Sequence, residues 1–182
     1  MPLIGDHAPE FHAMTTQGKI DFPADYKGSW VVLFSHPADF TPVCTTEFIA
    51  LSRMNETFES LNTKLIGLSI DSLHSHLGWI KSIEALNFNN EGKVKIPFPI
   101  IADISMNVAR KYGMLQTVAN TQTVRAVFII DPEGMIRTIL YYPMSTGRNI
   151  PEIIRILQSL QLNDKTHYST PANWQPGDAV VM

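Results

Sequence analysis

Cys44 is the only thiol in the chain, and its neighbours are of the kinds that activate one. It stands in SHPADFTPVCTTEF, residues 35–48, a stretch that also holds His36, Thr41 and Glu47. An apolar run, WVVLFS (30–35), precedes it and an amphipathic pattern comes after it, so the thiol falls at a strand-to-helix junction. The unused N–H groups and the dipole of a helix N-terminus favour an anion, and cysteines placed there ionise more readily than a free thiol. The thiolate is the nucleophilic form. The competing reading is a small buried hydrophobe, the common fate of a free cysteine; the polar, loop-forming neighbours argue against it. A nucleophile also needs groups that orient the substrate and hold the departing charge. Thr41 offers a local hydroxyl. Arg125 opens an otherwise apolar strand, from which a guanidinium could reach across the sheet end toward the cysteine loop.

The elements that must position these groups emerge from hydrophobic periodicity. WVVLFS predicts a buried strand after a Gly- and Pro-containing lead-in. From Thr45 to about Leu61, the spacing of Phe48, Leu51, Met54, Phe58 and Leu61 predicts one amphipathic helix. KLIGLSID (64–71) predicts a second buried strand, and residues 73–87 a helix carrying Leu73, Leu77, Ile80 and Ile83 on one face. FPIIAD reads as a strand and the segment ending in KYG as a short helix. RAVFIIDPEGMIRTILYYP (125–143) reads as a hairpin turning on Asp131-Pro132-Glu133-Gly134. A last helix is expected over about 150–162, capped by Asn149 with Pro151 in its first turn. This alternation predicts an α/β fold in which parallel pairing gives way to an antiparallel edge. Residues 1–162 read as one domain, and 163–182, aperiodic and rich in Pro, Asn and Gly, as a C-terminal arm.

Several function classes are excluded. The 14 Lys and Arg are scattered and outnumbered by 17 Asp and Glu, which argues against a nucleic-acid partner. A single cysteine forms no intrachain disulfide and points to a reducing, cytoplasmic setting. The opening MPLIGDHAPEFHAM has no basic and apolar pattern of a signal peptide. No apolar run reaches the roughly 18 residues of a membrane span. His74 and His76, two apart on a predicted helix, face different sides and cannot share a metal. With no HExxH, Cys-x-x-Cys, GxGxxG or Walker A element, neither a metal nor an organic cofactor is expected.

PADFTPVC (37–44) matches the Pro-x-x-x-Thr-x-x-Cys signature of the peroxiredoxins, and FSHPADFTPVCTTE most resembles their one-cysteine subfamily. YPMSTGRN (142–149) and TPANWQPGD (170–178) resemble further subfamily motifs, so the likeness covers essentially the entire chain. The resemblance implies a thioredoxin-like three-layer fold with a mixed central sheet and a C-terminal arm. It implies a peroxidase that reduces hydrogen peroxide and alkyl hydroperoxides through a sulfenic acid at Cys44. Thr41 would hydrogen-bond both sulfur and peroxide, and Arg125 would supply fixed positive charge to both. Pro37 would shield the pocket, Glu47 orient the arginine, Arg148 act as a second arginine at the substrate, and His36 lie near the pocket. Plainer readings stand beside these: a helix cap for Thr41, a first-turn acid for Glu47, a loop histidine for His36, an ion-pair or interface residue for Arg148. With no resolving cysteine, an external thiol must recycle Cys44, and a homodimer or larger ring is implied. The alternative function is an oligomeric holdase or redox-signalling protein switched by oxidation of Cys44. Some members carry a Gly-x-Ser-x-Gly lipase element; here Ser29 is flanked by Lys27 and Val31, and Pro23 stands where the histidine would be, so no lipase is expected.

Overall fold

Two runs of six buried residues, Trp30–Ser35 and Arg125–Ile130, form the centre of the sheet. Strands buried on both faces carry such continuous apolar runs, which is why these two lack alternation. The computed structural model describes residues 1–116 and 121–182. Its strands are β1 (Phe11–Thr15), β2 (Gly18–Phe22), β3 (Trp30–Ser35), β4 (Thr63–Ser69), β5 (Ile100–Ala102), β6 (Arg125–Ile130) and β7 (Ile136–Tyr142). They form one sheet in the order β2-β1-β5-β4-β3-β6-β7. β3, β4 and β5 pair in parallel; β6 and β7 on one side, and β1 and β2 on the other, pair antiparallel. The helices are α1 (Pro42–Arg53), α2 (Asn55–Ser60), α3 (Leu73–Ala85), α4 (Asn107–Lys111) and α5 (Ile150–Thr166). None is long and apolar enough to cross a membrane.

The two faces of the sheet are built differently. On one, Val31, Leu33, Ile66, Leu68, Ala126 and Phe128 pack with Phe11, Phe22 and Tyr112. On the other, Phe34 meets Phe48 of α1 edge-on at 5.5 Å between ring centroids, and Trp79 of α3 lies 4.6 Å from Phe48. Gly67 lies between these layers: a Cβ there would come within 3.3 Å of both Phe34 and Phe48. Its missing side chain is what allows α1 to sit so close to β4.

The expected mixed α/β sheet is present, with three departures. The lead-in before β3 is a hairpin, β1–β2, paired from Phe11 with Phe22 to Thr15 with Gly18. The helix expected from Thr45 starts at Pro42, and it breaks at Met54, whose N–H reaches the carbonyls of Ala50, Leu51 and Ser52 before α2 begins. The short α2 then turns Phe58 fully into the core. The final helix runs on to Thr166.

The chain divides into two compact units, Met1–Arg148 and Asn149–Met182. The compositional change at residue 163 therefore falls inside the second unit, within α5. There Asn149 caps α5 through a bond from the Glu152 N–H, as its position predicts. Arg155 pairs with Glu152 and donates to the Trp174 carbonyl, and Ser169 bridges to Val181.

Candidate active site

Pro42 at the first helical position moves the start of α1 three residues upstream of the expected one, and Cys44 becomes the third residue of its first turn. Backbone N–H groups at such positions have no partner within the helix. The Cys44 side chain is fully enclosed, but its surroundings are ionic rather than greasy. Arg125 at the head of β6 donates from Nη1 to Cys44 Sγ at 3.1 Å and to Glu47 Oε1 at 2.7 Å. Its Nε donates to the Met144 carbonyl at 2.9 Å, which fixes the plane of the guanidinium.

Glu47 is not a first-turn acid; it lies further along α1 and is gripped from two sides. Arg148 donates from its backbone N, Nε and Nη2 to the Glu47 carboxylate at 2.7–2.9 Å. Its remaining Nη1 donates to the carbonyls of Ser35 and Ala126, tying together the ends of β3 and β6. Burial alone would raise Glu47, but the charge and hydrogen bonds of Arg148, with the charge of Arg125, hold its carboxyl below the usual carboxylate range. Arg148 has no hydrogen bond to Cys44 among the described residues' contacts, so it reaches the thiol only through Glu47. Gly147 rests against Val43, which brings the 143–148 loop onto the first turn of α1.

Thr41 is the N-cap residue of α1, but its hydroxyl bonds neither the helix nor the sulfur. Oγ1 donates to the Ala38 carbonyl at 2.8 Å, turning back along its own loop. This corrects two expectations, a bond to the sulfur and a side-chain cap accepting from the helix: extended backbone at Thr41, with Pro42 next to it, directs the hydroxyl to the preceding turn. The lone pairs of Oγ1 stay available to accept a further hydrogen bond. Pro37 is buried at the start of that loop.

His36 is also enclosed, and it faces a group that the cysteine motif does not announce. Its Nε2 lies 2.7 Å from Asp39 Oδ1, while His76 of α3 brings Nδ1 to 2.6 Å from Asp39 Oδ2. His74 is exposed, so the two histidines of α3 do face opposite ways. Among the described residues, His36, Asp39 and His76 are the one set whose ligand-type atoms all lie within 4.8 Å of one another. They bond to each other instead of framing an open site, and the Ile101 carbonyl occupies the second nitrogen of His76 at 2.9 Å. Burial holds His36 below the ordinary histidine range against the pull of Asp39. Asp39 shares its motif with Cys44 and could have been singled out there; His76 could not, because no spacing rule links α3 to the cysteine loop.

Ser29 is no nucleophile. Its hydroxyl meets Asn62 Oδ1 at 3.5 Å, and the cavity of about 190 Å³ beside it is lined by Phe22, Pro23, Tyr26, Val31 and Ile130 with no histidine.

A buried thiol at a helix start, at the end of the central strands of a mixed α/β sheet and held by an arginine that a carboxylate orients, defines a thiol-based redox site. Residues 4–139 match the AhpC/TSA family, and residues 159–182 match the C-terminal domain of 1-Cys peroxiredoxin. A peroxiredoxin of Methanosarcina mazei is 62% identical over 184 residues, covering 100% of this chain and 84% of that one. One from Aquifex aeolicus is 52% identical over 97% of this chain and 78% of its own length. Among solved structures, a yeast mitochondrial 1-Cys peroxiredoxin superposes with a TM-score of 0.90 at 46% identity, covering 99% of this chain and 86% of that one. A cysteine-to-serine mutant of the peroxiredoxin 6 of Arenicola marina gives 0.91 at 40% identity, covering 100% and 84%. The chain belongs to the AhpC/TSA family and, within it, to the one-cysteine peroxiredoxins. It has the thioredoxin-like fold and is a thiol-dependent peroxidase, with a peroxide as substrate and a thiol as reductant; the holdase alternative is not favoured.

Proposed function

We propose that Cys44 is the peroxidatic nucleophile. Its thiolate attacks the terminal oxygen of a hydroperoxide in line with the O–O bond. An S–O bond forms, the O–O bond breaks, and water or an alcohol leaves after taking up a proton. Sulfur is oxidised to the sulfenic acid and the peroxide oxygens are reduced. The observation that carries this reading is the 3.1 Å contact between Arg125 Nη1 and Cys44 Sγ. A fixed cation there favours the thiolate and then the developing oxyanion. Thr41 accepts from the peroxide O–H, and Pro37 keeps water from the loop. Glu47 orients Arg125, and Arg148 orients Glu47, which makes it a supporting residue and not a substrate contact. His36 supports the loop. Hydrogen peroxide and small alkyl hydroperoxides are the substrates.

An external thiol returns the sulfenic acid to the thiol, because Cys44 is the only cysteine in the chain. The yeast relative has its thiol resolved via glutathione/thioredoxin systems, and a reductant of either kind suits the chemistry here. A reducing compartment such as the cytoplasm fits the lone free thiol. A homodimer or larger ring is favoured by the exposed apolar residues Phe40, Leu77, Leu86 and Phe88 near the cysteine loop and α3.

The test is peroxide consumption by the Cys44→Ser variant, with fold monitored by circular dichroism. We expect no turnover and an unchanged fold. Undiminished turnover would sink the assignment.

A further inference from the structure

Asp39 precedes Cys44 by five residues and is almost fully enclosed. Its carboxylate accepts from His36 Nε2 and His76 Nδ1, and from Ser75 Oγ at 2.9 Å. Its backbone N–H donates to Asp71 Oδ2 at 2.9 Å, which also accepts from Ser69 Oγ at 2.7 Å. One residue of the cysteine loop is thus tied to the ends of β3 and β4 and to the first turn of α3.

Each ring nitrogen of the two histidines has a distinct environment. Both nitrogens of His76 lie within hydrogen-bond distance of oxygen atoms, the Asp39 carboxylate and the Ile101 carbonyl. His36 is neutral and donates from Nε2. The other tautomer would aim a lone pair at a carboxylate oxygen 2.7 Å away and leave a buried Nδ1–H without an acceptor. Asp39 and His76 are therefore an enclosed, hydrogen-bonded pair, and His36 is a neutral donor to it.

The next residues along the chain are those the pair restrains. Phe40 adopts a left-handed backbone, φ 59°, which a bulky residue keeps only where its neighbours are over-determined. Thr41 and the first turn of α1 come directly after it. We propose that Asp39 and His76 are positioning residues for the peroxide reaction, locking the 36–41 loop so that Thr41 and Cys44 meet the substrate in one arrangement. This rests on the reading of Cys44 as the nucleophile.

The test uses Asp39→Asn, which keeps shape but removes the charge, and His76→Gln as an independent second variant. Three quantities are measured for each: the rate constant for peroxide, the rate of Cys44 alkylation against pH, and the imidazole nitrogen NMR spectrum. The wild type should show His36 as the Nε2–H tautomer. Asp39→Asn should change that spectrum and lower the peroxide rate constant roughly tenfold or more, because misplaced reacting groups lose rate steeply. The midpoint of alkylation should stay in place, since Arg125 and Glu47 are untouched. A folded Asp39→Asn variant with the wild-type peroxide rate would overturn the proposal. So would equal losses in peroxide and alkylation rates with a lowered melting temperature, or a wild-type His36 protonated on Nδ1. If Asp39→Asn does not fold, His76→Gln is judged by the same outcomes. A wild-type protein inert to peroxide would bring down the assignment of Cys44 itself, whereas an active wild type with an equally active variant removes only the role of Asp39 and His76.

Discussion

Two buried guanidiniums and one carboxylate leave a unit of positive charge beside Cys44, a setting that suits a negatively charged group there. Removing the cation that touches sulfur has a predictable result. Arg125→Ala should slow the peroxide step by about 10²–10³, the scale of one lost preorganised donor. The alkylation midpoint of Cys44 should move to higher pH, and stopped-flow peroxide kinetics with a pH series reads both. Glu47→Gln acts through the fold, because it leaves two enclosed cations facing one another. Breaking a buried pair costs about 3–5 kcal/mol, so the urea midpoint should fall sharply. Acid should act through the same groups. Glu47, Asp39 and His36 all hold protons less readily when folded than when unfolded. The unfolded chain then binds protons first, so stability rises with pH. Unfolding midpoints should begin to drop below about pH 6.5 through His36 and drop steeply below about pH 4 through the carboxylates. A His36→Phe variant that keeps the first drop would disprove that share.

Helix α1 holds its sulfur in place because β4 lets it approach, and Gly67 is the point of approach. Gly67→Ala should cost about 1–3 kcal/mol by overpacking against Phe34 and Phe48. The displaced α1 should also slow peroxide turnover, which a melting curve alongside an activity assay would show. The elements differ in how well the chain announces them. β3, β4, β6 and α3 carry long apolar patterns, and each is legible from periodicity. β1 and β2 are not, although Phe11, Ala13 and Thr15 alternate, as do Ile20 and Phe22, across a short Thr16-Gln17 connection. Their turn lacks the Asn-Gly type of signal that hairpin reading relies on. The break at Met54 is hidden because a one-residue irregularity leaves the helical period of Phe48, Leu51 and Phe58 intact. Cys44, Arg125 and Glu47 are legible as a set through motif and residue type. The geometry of Thr41 and the partnership of Asp39 with His76 depend on tertiary approach, which local spacing does not encode.

For the molecule as a whole, assembly and reactivity are separable questions. The exposed Phe40, Leu77, Leu86 and Phe88 are an unusual grouping for a solitary chain of net charge −3. Sedimentation equilibrium should therefore find a dimer or larger species, and Phe40→Ser with Phe88→Ser should shift it toward monomer. An invariant molecular mass in that double variant would place the contacts elsewhere. Enclosure of Cys44 has a separate bearing on how the catalyst is regenerated. A hydroperoxide is a small molecule, whereas a sulfhydryl carried by another protein brings a broad surface with it. Such a donor needs Cys44 uncovered, and we expect an outward movement of the opening residues of α1 to limit turnover once the donor is abundant. Chemically unlike reductants of similar bulk should accordingly share a common plateau velocity, a limit written by the mechanics of one helical turn.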